Sequence, residues 1–255
     1  MIDGKENEPP SENPWVKFVI DQDSEIPKVI ECISPRPRLG GLDTKALIYR
    51  AIPAIAQLDG LPPEEYERQL KICIGQIYAR HNNFNEADKR AAGDWERLSP
   101  DYFTKINAIF KGLPWPKGEY TATLSVIPPF RRFLYNKNFE VPFGPEEQRP
   151  RTTAHELTHF LFFEKVRTAY TPDLDNTVEQ EMVKRLQGRF AIPIWEASEL
   201  FNMVILTPER FGPCGNIPNP NVYKTLVSKT GEFAELWINS GEDIDEFFRR
   251  LEVKK

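Results

Sequence analysis

The segment TTAHELTHFLFF, residues 152–163, constrains the fold of this chain more than any other segment. It places His155 and His159 four positions apart, with Glu156 directly after the first histidine. Four positions are close to one helical turn, so a helix directs both imidazoles from the same face. Apolar residues lie before, between and after them, which predicts that the helix is buried: Ala154, Leu157, Phe160 and Leu161.

The composition is that of an ordinary globular protein, since 40% of the 255 residues are hydrophobic and 28% are charged. A chain of this length suits one large domain, or one domain with a smaller appendage. No apolar run approaches the ~18 residues of a membrane span. The net charge is -5 and the basic residues are scattered. We therefore expect neither a membrane nor a nucleic acid among the partners.

The first residues, MIDGKENEPPSENP, lack the basic and apolar stretches of a secretory signal. We expect residues 1–14 to be a disordered tail and the protein to be cytoplasmic. Cys32, Cys73 and Cys214 are widely spaced and form no CxxC pair. This spacing predicts neither a disulfide framework nor a cysteine zinc site.

Three segments read as strands because their apolar residues alternate or are β-branched. They are WVKFVI at 15–20, TATLSVI at 121–127 and NFEVPFG at 138–144. Proline cannot donate to the hydrogen-bond ladder of a central strand, so Pro142 predicts that the third strand lies at a sheet edge.

Helical periodicity dominates much of the rest, most clearly at 62–81. Further helices are predicted at about 101–112, opened by Ser99 or Asp101, at 152–165, at 176–193, and near DIDEFFRRLE. Helices on both sides of a small sheet indicate an α+β fold. The expected organisation is a mainly helical region at 15–118, followed by a core domain with C-terminal helices at 119–255.

The sequence His155-Glu156-Leu157-Thr158-His159 is an HExxH motif. Both imidazoles can bind one zinc ion, and Glu156 is placed to reach a zinc-bound water. The motif therefore predicts one Zn²⁺ per chain, with His155 and His159 as ligands and Glu156 as the general base and acid.

A zinc site of this kind needs a third protein ligand. Metzincins carry a third histidine six residues after the motif, but Lys165 occupies that position here. A carboxylate downstream is therefore expected. Glu179 projects into the apolar stripe of its predicted helix, where an unpaired carboxylate is costly, whereas Glu181 projects toward solvent. We favour Glu179, with Glu181, or a structural ion pair of Glu179, as the alternatives.

HExxH followed after 19 residues by a helical glutamate resembles the gluzincin metallopeptidases. AHELTHFLFF and EQEMVKRLQGRFAIP together resemble, more narrowly, the ImmA/IrrE family of cytoplasmic proteases. The resemblance implies a zincin-like core, with an HExxH helix, a following ligand helix and Glu179 as the third ligand. Val183 stands where gluzincins carry an acid or amide that orients the first histidine, so this support is either missing or comes from elsewhere.

We therefore expect a zinc-dependent metallopeptidase that acts on a peptide or protein. A tyrosine or histidine should stabilise the oxyanion, and Tyr170, Tyr223, Tyr135 and His81 are the candidates. The strand at 138–144 is expected to align the substrate by strand addition. Cys214 is a candidate inhibitory zinc ligand. The alternative function is a catalytically silent zincin fold that serves as a binding or regulatory module.

Overall fold

The computed structural model describes residues 13–34, 43–80, 86–174, 179–216 and 224–252, without the side chains of 179, 180, 224 and 225. The fold is α+β, as predicted, with a four-stranded mixed sheet among the described residues. The helices are α1 (Glu25–Ile33), α2 (Thr44–Ala51), α3 (Pro53–Ala56), α4 (Pro63–Ala79), α5 (Ala87–Ile109), α6 (Gln148–Tyr170), α7 (Glu179–Arg185), α8 (Ile194–Ile205), α9 (Pro208–Phe211), α10 (Lys224–Val227), α11 (Thr230–Asn239) and α12 (Ile244–Leu251).

The sheet joins strands that are far apart in the sequence. Its strands are β1 (Val16–Ile20), β2 (Tyr120–Ser125), β3 (Arg132–Phe133) and β4 (Asn138–Pro142), in the order β1-β2-β4-β3. β1 and β4 both pair with β2 in parallel, and β3 pairs with β4 antiparallel. Because β1 pairs with β2, one sheet includes strands from both sides of the domain boundary that the sequence suggests.

The prediction that 138–144 is an edge strand is wrong, because β4 lies between β2 and β3. Pro142 is tolerated because it is the last residue of β4, where a missing N–H interrupts no continuing strand. The edge strand is β3, which has only two residues. A strand this short carries no alternation that sequence reasoning could detect.

Two helix boundaries also differ from the predictions. α5 begins at Ala87 and runs through Pro100, rather than opening at Ser99 or Asp101. Burial of Trp95 on one side of the proline and Tyr102 on the other holds the helix together. The helix predicted to reach Pro193 ends earlier, at Arg185. The chain then turns at Gly188, which has a φ of 74°, and Phe190 bridges to Glu252.

The other predicted elements are confirmed. α4 (Pro63–Ala79) covers most of the periodic segment at 62–81. The C-terminal helix α12 begins after Asp243, whose side chain accepts hydrogen bonds from the N–H groups of Asp245 and Glu246. The expected tail lies outside the described residues except for 13 and 14. The side chains of Cys32, Cys73 and Cys214 are free thiols.

α6 is the central helix of the structure, and it packs on both the sheet and the C-terminal helices. Phe160 faces the sheet, with ring centroids 5.1 Å from Tyr120 and 6.2 Å from Phe139. Phe162 faces the other way, with centroids 5.4 Å from Phe201 of α8 and 5.0 Å from Phe248 of α12. A helix held from both sides keeps its polar side chains in fixed positions.

Candidate metal centre

The two histidines of α6 direct their Nε2 atoms to the same point. These atoms lie 3.0 Å apart, and the ring planes are inclined by 81°. The His159 side chain is fully buried, and that of His155 is 15% exposed. The helical spacing in the sequence therefore brings the two ring nitrogens together, which would allow both to bind one metal ion.

The third side chain that converges on this point is that of Glu199, in the middle of α8. Its Oε2 lies 3.3 Å from Nε2 of His155, and its Oε1 lies 3.3 Å from Nε2 of His159. One potential ligand atom from each of the three residues lies within 4.8 Å of the other two. Among the described residues, His155, His159 and Glu199 are the one group of three or more His, Cys, Asp or Glu that could hold a metal ion.

α8 reaches this position because its packing on α6 is fixed by Asn202. The Asn202 Nδ2 donates a hydrogen bond of 2.9 Å to the backbone carbonyl of His155. Asn202 follows Glu199 by three residues, so the two side chains lie on neighbouring positions of one helix face. The same helix buries Leu200 and Phe201. α8, which is buried on most of its surface, thus places the Glu199 carboxylate beside the two histidines.

The three side chains are electrostatically complementary. Burial alone would raise the pKa of the Glu199 carboxyl, but its interactions with His159 and His155, including hydrogen bonds to both, lower this pKa well below its usual value. Burial and the nearby Arg132 guanidinium lower the pKa of His159 to about 3. Burial also opposes the charge of His155, yet the hydrogen bond to Glu199 raises its pKa above the usual value. The group therefore offers an anionic carboxylate and at least one neutral imidazole, which are metal-binding forms.

Glu156 lies beside this group, and each of its two carboxylate oxygens has a polar side chain as a neighbour. Its Oε1 is 4.0 Å from Nε2 of His155, and its Oε2 accepts a hydrogen bond of 2.9 Å from Nη1 of Arg132 in β3. Burial raises the pKa of Glu156, and the charges of Arg132 and His155 oppose this rise. A buried carboxylate next to the converging ligand atoms has the position that a general base requires.

Asn216 supplies the orienting contact that Val183 cannot. Its Nδ2 position lies 3.3 Å from Nδ1 of His155. A side-chain amide can turn its oxygen or its nitrogen to a partner. With the oxygen turned inward it accepts Nδ1–H, which leaves the Nε2 lone pair of His155 directed at the centre. In the described part of the chain, Nδ1 of His159 has no such partner.

The other residues proposed from the sequence have different surroundings. Glu179 is the first residue of α7, and its side chain lies outside the described residues. Glu181 pairs with Arg185 at 3.3 Å and is 39% exposed, as expected for a solvent-facing residue. Burial raises the pKa of the Cys214 thiol to about 11, and this residue is not in the metal-binding group.

Among the oxyanion candidates, two lie outside the described residues, namely His81 and Tyr223. Tyr135 is 55% exposed. Tyr170 packs against Phe190, and burial raises its pKa to about 12. The cationic donor that the structure does place beside Glu156 is Arg132.

Sequence reasoning missed Glu199, Asn216 and Arg132 as members of this site. One signal for Glu199 was available, because WEASELFNMVIL places two carboxylates, Glu196 and Glu199, in an otherwise largely apolar helix. A carboxylate that must be buried needs a cation, a hydrogen-bond donor or a metal as its partner. No comparable signal exists for Asn216 or Arg132, because Asn216 lies in a Pro/Gly-rich loop and Arg132 follows another arginine in a short segment without periodicity.

No protein-family model, curated protein or solved structure shows significant similarity to this chain. No helix in the described part of the chain combines the length and hydropathy that a membrane crossing requires. The functional conclusion therefore depends on the geometry of the candidate metal centre.

Proposed function

We propose that this protein is a zinc-dependent metallopeptidase in which His155, His159 and Glu199 bind the metal. The supporting observation is the spacing of the ligand atoms, at 3.0 Å between the two nitrogens and 3.3 Å from each nitrogen to a carboxylate oxygen. Two atoms bound tetrahedrally to zinc at about 2.0–2.1 Å lie about 3.3–3.4 Å apart. The side chains therefore fit a zinc ion with little rearrangement.

When bound, zinc in such a site would polarise the scissile carbonyl and lower the pKa of a water, so that the water loses a proton readily as it attacks the carbonyl carbon. Glu156 then takes a proton from the attacking water on Oε1, the oxygen nearer to His155, and delivers it to the leaving amine nitrogen. Asn216 and Asn202 hold His155 from its ring and its backbone. These contacts preserve the direction of the ligands through the reaction.

Metal content separates Glu199 from Glu179 as the third ligand. We expect about one zinc per chain in the wild type, little zinc in His155→Ala and Glu199→Gln, and full occupancy in Glu156→Gln. Glu181→Gln is the matched control, because Glu181 faces solvent and pairs with Arg185. Zinc retained in Glu199→Gln and lost in Glu179→Gln would assign the third ligand to Glu179 and reject our assignment.

Turnover is tested with an unbiased peptide library and the zinc-loaded protein. The proposal predicts cleavage by the wild type and its loss in Glu156→Gln, although that variant keeps its zinc. Cleavage products identified by mass spectrometry would also define the substrate preference. An absence of cleavage by fully zinc-loaded protein would reject the peptidase proposal.

A catalytically silent zinc-binding module is the second candidate. The observation that favours it is the ion pair of Glu156 with Arg132, at 2.9 Å between Oε2 and Nη1, since a paired carboxylate is a weaker base. This candidate predicts full zinc occupancy with no cleavage, and zinc loss that destabilises the fold. The library assay therefore distinguishes the two candidates directly.

A further inference from the structure

A cavity of about 310 Å³ lies at the carboxyl ends of β2 and β4. Val126 directly follows β2, and Phe143 and Gly144 directly follow β4, and all three residues line the cavity. The two strands are parallel neighbours, so their carboxyl ends meet at the same end of the sheet. The crevice outside the carboxyl ends of parallel strands is where ligands bind in many open sheets. The cavity shares no residue with the metal-binding group.

Helical segments form the walls of this cavity. One wall is a face of α4, on which Gln76 and Ile77 lie three and four positions after Cys73. The other wall is the junction between α2 and α3, at 51–54. Most of the side chains in both walls are apolar, as in the body of a typical small-molecule site.

The rim of the cavity carries two side chains that can donate hydrogen bonds. Gln76 and Arg80 both line the cavity and are both exposed. Burial raises the pKa of the Cys73 thiol, and the charge of Arg80 opposes this rise, so the guanidinium lies close to the thiol. No carboxylate of the described residues pairs with Arg80, and no Asp or Glu lines the cavity. An anionic group at the rim therefore meets a cation for which no protein carboxylate competes.

The volume of the cavity sets the size of the apolar part of a ligand. An apolar cavity of about 150 Å³ holds one benzene molecule. At about 310 Å³, this cavity holds roughly twice as much, which is an apolar group of about 8–12 carbon atoms.

We propose that this cavity binds a small ionised carboxylic acid with an apolar tail. The tail lies between α4 and the junction of α2 with α3, and the carboxylate lies at the rim on Arg80 and Gln76. The guanidinium presents its donors in a fork that matches the two oxygens of a carboxylate. The amide N–H of Gln76 donates to one of the same oxygens. This second site does not depend on the proposed metallopeptidase activity.

Binding of octanoate and of octanamide, measured by calorimetry on the purified protein, tests the site. The two probes have the same tail and differ in the head group. We expect octanoate to bind about tenfold more tightly than octanamide. Arg80→Gln should lower the affinity for octanoate to that for octanamide. Arg68→Gln is the matched control, because Arg68 lies on the same helix, pairs with Glu65 at 2.6 Å and does not line the cavity.

Cys73 reports where octanoate binds, without any substitution. Octanoate should slow the alkylation of Cys73 by iodoacetamide several-fold, as measured by mass spectrometry of peptides at alkaline pH. The alkylation of Cys32 should not change. Cys32 is also a partly buried free thiol, but it lies near Arg131 and outside the cavity. This measurement remains valid if Arg80→Gln folds poorly.

Four results would overturn the inference. They are no detectable binding of octanoate, equal affinity for the two probes, a preference that survives Arg80→Gln, and alkylation of Cys73 that octanoate does not slow. A preference that survives Arg80→Gln would place the carboxylate elsewhere, for example on a bound metal. Neither measurement involves zinc content or cleavage, so the metallopeptidase proposal stands or fails by its own experiments.

Discussion

Replacing Lys28 by methionine should strongly destabilise the protein, although the residue lies outside the metal centre. Lys28 of α1 is 1% exposed, and its Nζ lies 2.6 Å from Oε2 of Glu140 in β4. It also donates to Oγ of Ser125 at 2.8 Å and to the carbonyl of Ile127. Glu25 lies nearby, with Oε2 at 3.7 Å. The ammonium group thus joins α1 to the end of β2 and to the middle of β4.

The size of the effect follows from these distances. With an effective dielectric constant of about 20, charges at 2.6 Å and 3.7 Å attract by about 6 and 4 kcal/mol. Most of this attraction offsets the cost of removing the charges from water. Lys28→Met leaves Glu25 buried without its cation and Glu140 with Arg131 as its remaining cation. Removing one partner of a buried pair costs about 3–5 kcal/mol. For a chain of this size, that loss lowers the melting temperature by roughly 6–20 °C.

Urea unfolding of the metal-free protein at neutral pH, followed by tryptophan fluorescence, measures this loss. Lys45→Met is the matched control, because Lys45 pairs with Asp59 at 3.0 Å on the exposed surface. Its unfolding midpoint should be unchanged. A loss below about 1 kcal/mol in Lys28→Met would refute the argument that the buried cation holds α1 to the sheet.

Three further changes test other parts of the structure. Asn216→Ala should weaken zinc binding about 10- to 100-fold, because it removes the group that orients His155, and competition with a chelating dye measures this. An unchanged zinc affinity would reject that role. Glu25→Gln should flatten the pH dependence of stability. Burial raises the pKa of Glu25 in the folded protein above its usual 4.5. In the wild type the unfolding free energy therefore falls as the pH rises above that value. Urea titrations between about pH 4 and pH 7 show whether the slope changes, and an equal slope in both proteins would contradict the assignment. Phe162→Ala, which empties a fully buried site between Phe201 and Phe248, should cost about 3–5 kcal/mol in the same urea assay, and a cost near zero would contradict the central packing of α6.

Local patterns predicted most of the secondary structure. β1, β2 and β4 formed where alternating apolar residues predicted strands, and α4, α6 and α12 formed where the period was helical. The errors occurred where packing or pairing overrides local preference. Pro100 lies inside α5 because buried aromatic residues on both sides hold the helix, and β4 is an interior strand because the two residues of β3 pair with it.

In the candidate metal centre, too, local sequence predicted some of the residues, and packing between distant segments added the others. The sequence by itself determined the convergence of His155 and His159 and the placement of Glu156 beside them, because one helical turn separates the ligands and no other element is needed. The tertiary structure brought in Glu199, 40 residues after His159, by packing α8 against α6 through Asn202. It also placed Arg132 and Asn216 beside the motif, from a two-residue strand and an irregular segment. Contacts between distant segments depend on how whole helices and strands pack, and the local periodicity of a sequence does not specify that packing.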